Sequence, residues 1–152
     1  MTTPPPPEAV LLIGVQACGK SSFAKARLFD SHVRINLDML RTRHRESLLF
    51  EACLEAGQPF VIDNCNPGRA DRARYIQAAK ARGFRIVGYY FRSEIEEALR
   101  RNAERAGTAR IPDGGVRGTH ARLELPSLEE GFDALFYVSL KADGFDVQEW
   151  QE

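Results

Sequence analysis

Apolar residues along this chain fall into short continuous runs, separated by longer stretches in which they recur every three or four positions. Residues 9–13 are a β-type run without polar alternation, which predicts a strand buried on both faces, as in a helix-covered parallel sheet. Further strands are predicted over 33–36, 59–63, 84–91 and 134–140. Helical patterns lie between them, over 19–29 and over 38–56, the latter stopped by Gly57. Pro67 and Gly83 bracket a third helix containing Tyr75, Ile76 and Ala79. Ser93-Glu94-Ile95-Glu96 reads as a capping box opening a fourth towards Arg105. Strands alternating with helices predict an α/β three-layer fold with a mainly parallel, helix-covered sheet of about five strands. The prolines Pro4 to Pro7 mark residues 1–7 as a disordered lead and leave 8–152 as a single domain.

Composition narrows the class. Lys+Arg and Asp+Glu both total 21, which argues against a protein that coats nucleic acid through bulk charge. The charges are segregated, however. Seven basic residues lie between Lys20 and Arg45, six arginines lie between Arg100 and Arg122, and beyond Leu123 eight carboxylates face Lys141 alone. A contact with a polyanion is therefore expected to be local. The apolar run from Val10 to Val15 is too short to span a bilayer, so no membrane association and a cytoplasmic location are expected. Cys18, Cys53 and Cys65 form neither CxxC spacing nor an even set, which predicts reduced thiols and no zinc site. His32, His44 and His120 have no spacing that favours chemistry.

The sharpest signal is Gly14-Val15-Gln16-Ala17-Cys18-Gly19-Lys20-Ser21, which fits G-x-x-x-x-G-K-[ST] directly after a predicted strand and directly before a predicted helix. Such a loop curls its backbone N–H groups around phosphate oxygens at a helix N-terminus. The expected nucleotide contacts are Gly14, Gln16, Ala17, Cys18, Gly19, Lys20, Ser21 and Ser22. Lys20 would reach the β- and γ-phosphates, and Ser21 would offer its hydroxyl to Mg²⁺. Asp63, at the tip of the third strand, is the second candidate metal ligand. ATP or another nucleoside triphosphate and Mg²⁺ are the cofactors this implies.

Three further segments, Asn36-Leu37-Asp38-Met39-Leu40-Arg41, Val61-Ile62-Asp63-Asn64-Cys65-Asn66-Pro67 and Leu125-Pro126-Ser127-Leu128-Glu129-Glu130-Gly131-Phe132, resemble in order and spacing the kinase domain of polynucleotide 5′-kinases. The resemblance runs from about Val10 to Leu140 and implies transfer of a γ-phosphate to the 5′-hydroxyl of a polynucleotide end, a single-stranded end being the easier acceptor. It assigns Asp38 as the base that takes the hydroxyl proton, and Arg41, Asp63 and Asn66 as acceptor-side contacts. Arg100-Arg101-Asn102-Ala103-Glu104-Arg105 is similar to the family's lid helix, so Arg101 and Arg105 are expected over the triphosphate, with Arg105 catalytic beside Asp38 and Lys20. Arg110 is an additional candidate.

The chain departs from that family at Ala17-Cys18, where Gly with a small partner is common, and at Cys65, where Thr is usual. Beside a lysine and phosphate-directed amides, Cys18 is a candidate reactive thiol. No D-x-D-x-[TV] phosphatase signature occurs, so end repair would call for a separate phosphatase or ligase protein. Two other readings stay open: a kinase for a nucleoside, sugar or antibiotic, and a nucleotide-gated binding module with little turnover.

Overall fold

A computed structural model describes residues 4–152. The opening apolar run becomes β1 (Glu8–Ile13), whose residues 9–13 are fully buried. Its alternate side chains enter two different cores: Ala9, Leu11 and Ile13 one, Val10 and Leu12 the other. A strand apolar on both faces is stable only between two layers, and the chain supplies them. On one side lie α3 (Arg43–Ala56) and α4 (Arg69–Ala81), contributing Cys53, Leu54, Tyr75, Ile76 and Ala79. On the other lie α1 (Lys20–Arg27), α5 (Ile95–Ala103) and α6 (Asp113–Arg122), contributing Phe23, Ala24, Ala98 and Val116.

With β2 (Val33–Ile35), β3 (Phe60–Ile62), β4 (Arg85–Phe91), β5 (Ala134–Lys141) and β6 (Gly144–Glu149), the sheet order is β2-β3-β1-β4-β5-β6. All neighbours pair parallel except β5 and β6. The loops following β1, β2 and β3 therefore emerge at one edge, beside the point where the order turns back around β1, which is where ligands bind in such sheets. Gly88 on β4 allows the segment leading into β5 to pack closely, since a Cβ would stand 2.6 Å from the Phe132 ring.

The three-layer α/β class with a mainly parallel sheet is as expected, with corrections in detail. The sheet has six strands rather than five. The sixth is antiparallel to β5 across a two-residue turn, Ala142-Asp143, which needs no crossover helix. The helix expected over 38–56 is two: α2 (Leu37–Leu40), ended by Arg41 at φ 76°, and α3, opened by Thr42, whose Oγ1 accepts from Arg45 N at 3.1 Å. Asp38 caps neither, because Asn36 is the N-cap of α2. Ser93 does not cap α5; its hydroxyl donates to Phe91 O and accepts from Val15 N. Part of the lead expected over 1–7 lies outside the described residues. Pro4 to Pro7 form no element, and Pro7 O accepts from Arg85 N at 2.8 Å.

Candidate active site

The loop between β1 and α1 is held at both ends by backbone. Gly14 N donates to Cys65 O at 3.0 Å, tying it to the loop after β3, and Gly19 opens α1 in the left-handed region at φ 101°. A Cβ at Gly19 would also stand 2.8 Å from Leu140 Cδ2, so the Leu140 side chain would have to shift to admit one. Lys20 is buried, and its ammonium donates to Gly14 O at 2.9 Å and Val15 O at 2.8 Å, with Cys18 Sγ at 3.5 Å. Burial opposes its charged form, but the negative charge that Cys18, Cys65 and Asp63 carry when ionised outweighs that and raises its pKa above the usual lysine value.

Beside it, Ser21 Oγ donates to Asp63 Oδ2 at 2.9 Å. Arg34, on β2, reaches the same carboxylate oxygen through Nε at 2.7 Å and the Ser21 hydroxyl through Nη2 at 3.3 Å. Among the described residues no cluster of three His, Cys, Asp or Glu side chains exists to chelate a metal alone. A hydroxyl next to one carboxylate matches Mg²⁺, which takes few protein ligands and completes its shell with phosphate oxygens and water.

The region around α2 is built from side chains. Asn36 Oδ1 accepts from Met39 N at 2.9 Å while its Nδ2 donates to Asp63 O at 2.6 Å, so one residue starts α2 and fastens it to the end of β3. Asn64 Oδ1 accepts from Leu37 N at 2.9 Å and its Nδ2 donates to Glu46 Oε2 at 3.0 Å. Glu46 is buried on α3 and also accepts from Tyr75 OH and Arg43 Nη1, each at 2.9 Å. Burial, together with this carboxylate, pushes the Tyr75 phenol up, so it stays a donor. Farther back, the fully buried Arg72 grips Glu130 with two bonds, 2.8 and 3.1 Å, and donates to Asn66 O and Pro67 O. The Leu125-to-Phe132 segment thus reaches the site indirectly, through Glu130.

One cavity of about 1250 Å³ brings most of the expected residues together: Gln16, Ala17, Gly19, Lys20, Ser21 and Ser22 on the loop, Asp38 and Arg41 on α2 and its end, Asp63 and Asn66 after β3, and Arg101 and Arg105 opposite. The Asp38 carboxylate makes no hydrogen bond or ion pair among the described residues, whereas Asn66 directs its amide inward to Leu12 O at 2.7 Å. Gly14 and Cys18 stand apart from that cavity. Cys18 is 3% exposed and lines a smaller neighbour of about 150 Å³ with Arg92, Glu97 and Arg101, so its thiol is shielded from bulk reagents. Arg100 and Arg110 are exposed and line neither. Asn102 on α5 accepts from Ile111 N at 2.9 Å in the segment leading into α6, and Gln16 links the loop to α6 by donating to Thr119 Oγ1 at 3.0 Å.

Reading the sequence missed Arg34, Asn36, Asn64, Glu46 and Tyr75. Asn36 alone carried a local signal, an Asn three residues before the amide it caps.

No helix among the described residues is long and apolar enough to cross a membrane. The AAA domain family matches residues 10–126. The chain is 28% identical over 138 residues to the bifunctional polynucleotide phosphatase/kinase of Schizosaccharomyces pombe, covering 88% of this chain and 34% of that protein. It is 28% identical over 143 residues to a putative bifunctional polynucleotide phosphatase/kinase of Acanthamoeba polyphaga mimivirus, covering 90% and 34%. The chain thus spans about a third of the length of these curated relatives. A gluconokinase from Sinorhizobium meliloti 1021 shares the fold, with TM-score 0.61, 19% identity, and coverage of 90% of this chain and 84% of that one. With its phosphate-binding loop near the start of the matched region, this chain belongs to the AAA domain family, and its fold is the one it shares with that gluconokinase.

Proposed function

We propose that residues 8–152 act as one kinase unit that transfers the γ-phosphate of ATP, or of another nucleoside triphosphate, to the 5′-hydroxyl of a single-stranded polynucleotide end in the cytoplasm. The observation that carries this reading is the shared cavity: the phosphate-binding loop forms one wall and the unpaired Asp38 carboxylate, with Arg41, forms another. The curated relatives that cover most of this chain carry polynucleotide kinase in their names.

In this reading the loop amides from Gly14 to Ser22 cradle the triphosphate, and Lys20 leaves its carbonyl partners to follow the β- and γ-phosphates. Arg101 and Arg105 close over them from the lid, holding the transferring group by charge rather than by covalent chemistry. Ser21 and Asp63 would hold Mg²⁺, which would supply positive charge to offset that of the triphosphate. Asp38 accepts the proton of the attacking hydroxyl, while Arg41 holds the acceptor's neighbouring phosphate. Asn66 and Asn36 keep the acceptor wall in register through Leu12 O and Asp63 O.

A labelled-ATP transfer assay with a 5′-hydroxyl oligonucleotide, a 3′-nucleoside monophosphate, unphosphorylated nucleosides and gluconate tests the reading. Transfer to the first two is expected. Transfer confined to nucleosides or gluconate would make it a small-molecule kinase, the acceptor class named for the gluconokinase that shares the fold. ATP binding with no transfer at all would leave a binding module.

A further inference from the structure

Asp63 is the most enclosed acid of the cavity, its side chain 1% exposed, and both of its cavity-side partners are also each other's: Ser21 Oγ at 2.9 Å and Arg34 Nε at 2.7 Å meet on Oδ2, and Arg34 Nη2 returns to Ser21 Oγ at 3.3 Å. The two oxygens assigned above to a divalent cation are therefore both engaged by one guanidinium. A buried carboxylate needs a cation beside it, and leaving it uncompensated is costly. Two cations on the same carboxylate oxygen, however, repel strongly at contact distance.

Arg34 is also built to leave. It sits on a three-residue edge strand, its side chain is 38% exposed, and Asp63 is its one ion-pair partner among the described residues. Its Nη1 already lies 3.7 Å from Met39 Sδ, next in sequence to Asp38. Swinging off Asp63 moves the guanidinium along α2 without unpacking a core side chain.

We propose that Arg34 is a resident cation of the Ser21–Asp63 pair which a divalent ion must displace, so that it sets the metal concentration the site requires and is delivered to the Asp38 side of the cavity when metal binds. This rests on the reading of Ser21 and Asp63 as the metal site, but on no assumption about the acceptor. Arg34 is thus a positioning residue that links the donor side to the acceptor side.

The test is direct Mn²⁺ binding to the nucleotide-free protein, followed by electron paramagnetic resonance, for the wild type, Arg34→Gln, Arg34→Lys and Asp63→Asn, each checked for folding by circular dichroism. Arg34→Gln should bind Mn²⁺ about tenfold more tightly, since a unit charge within hydrogen-bonding distance of the ligand is removed. Arg34→Lys, which keeps the charge but not the two-pronged reach, should fall between, and it carries the test alone if the glutamine variant does not fold. The Mg²⁺ midpoint for binding a fluorescent ATP analogue should shift down in parallel. Unchanged or weaker Mn²⁺ binding in both Arg34 variants, with Asp63→Asn weakened, overturns the displacement while sparing the metal site. Wild-type Mn²⁺ binding in Asp63→Asn removes the metal site and this inference with it.

Discussion

The two walls of the cavity are made in different ways. The donor wall is a contiguous octapeptide whose functional groups are mostly backbone amides, shaped by two glycines and one left-handed turn. The acceptor wall is assembled from α2, the loop after β3, α3 and α4 by side chains distant in sequence: Asn36 to Asp63, Asn64 to Glu46, Glu46 to Tyr75, Arg72 to Glu130. A wall of backbone is specified by conformation and tolerates side-chain change, whereas a wall of networked polar groups fails when any buried member loses its partner. Variants of the acceptor wall should therefore damage stability or acceptor use while sparing nucleotide affinity, and variants of the donor wall should do the reverse.

The largest effect is expected from Asp38→Asn, which keeps shape and removes the proposed base. Turnover with a 5′-hydroxyl oligonucleotide should fall by about 10²–10⁴-fold, with ATP affinity by calorimetry unchanged. Equal losses in both would erase the distinction between the walls. Arg72→Ala leaves the Glu130 carboxylate buried without its partner and should cost about 3–5 kcal/mol in urea unfolding. A loss under 1 kcal/mol would mean that this pair is not what holds the acceptor wall.

Glu46→Ala strands Tyr75 OH and Asn64 Nδ2 and should cost about 1–3 kcal/mol, raising KM for the acceptor more than for ATP. The converse probe is Gly19→Ala. The strain of a left-handed non-glycine residue, about 1–3 kcal/mol, together with the Leu140 clash, should fall on ATP affinity and leave residual acceptor binding intact. The smallest change, Thr42→Ala, removes the cap that separates α3 from α2 and should cost about 1 kcal/mol, read as a small drop in Tm with both ligands still bound.

The same contrast explains what the chain disclosed before its structure. The donor loop was legible because its chemistry is consecutive: Gly14 to Ser21 carry spacing, flanks and function together. The strands were legible because two-sided burial leaves unbroken apolar runs. Arg34 was not, since on a short strand it reads as an ordinary surface arginine and only the parallel pairing of β2 with β3 brings it to Asp63. The break at Arg41 was hidden because Thr42 and Glu46 sit inside an otherwise continuous helical pattern. The sixth strand was hidden because Gly144–Glu149 follows a turn of only two residues, although the alternation of Phe145 and Val147 with Asp146 and Gln148 carried its period.

That last strand also governs how the molecule behaves among its neighbours. Every open sheet has two rims whose unpaired amides invite another chain to dock. Here one rim is only three residues long and bears Arg34, and the other is a hairpin arm carrying Asp146 and Glu149. Stripping that arm away would bare β5 from Phe136 to Lys141, with Leu135, Phe136 and Val138 along that strand. The trimmed protein should then self-associate on standing, however intact its phosphate-binding loop remains.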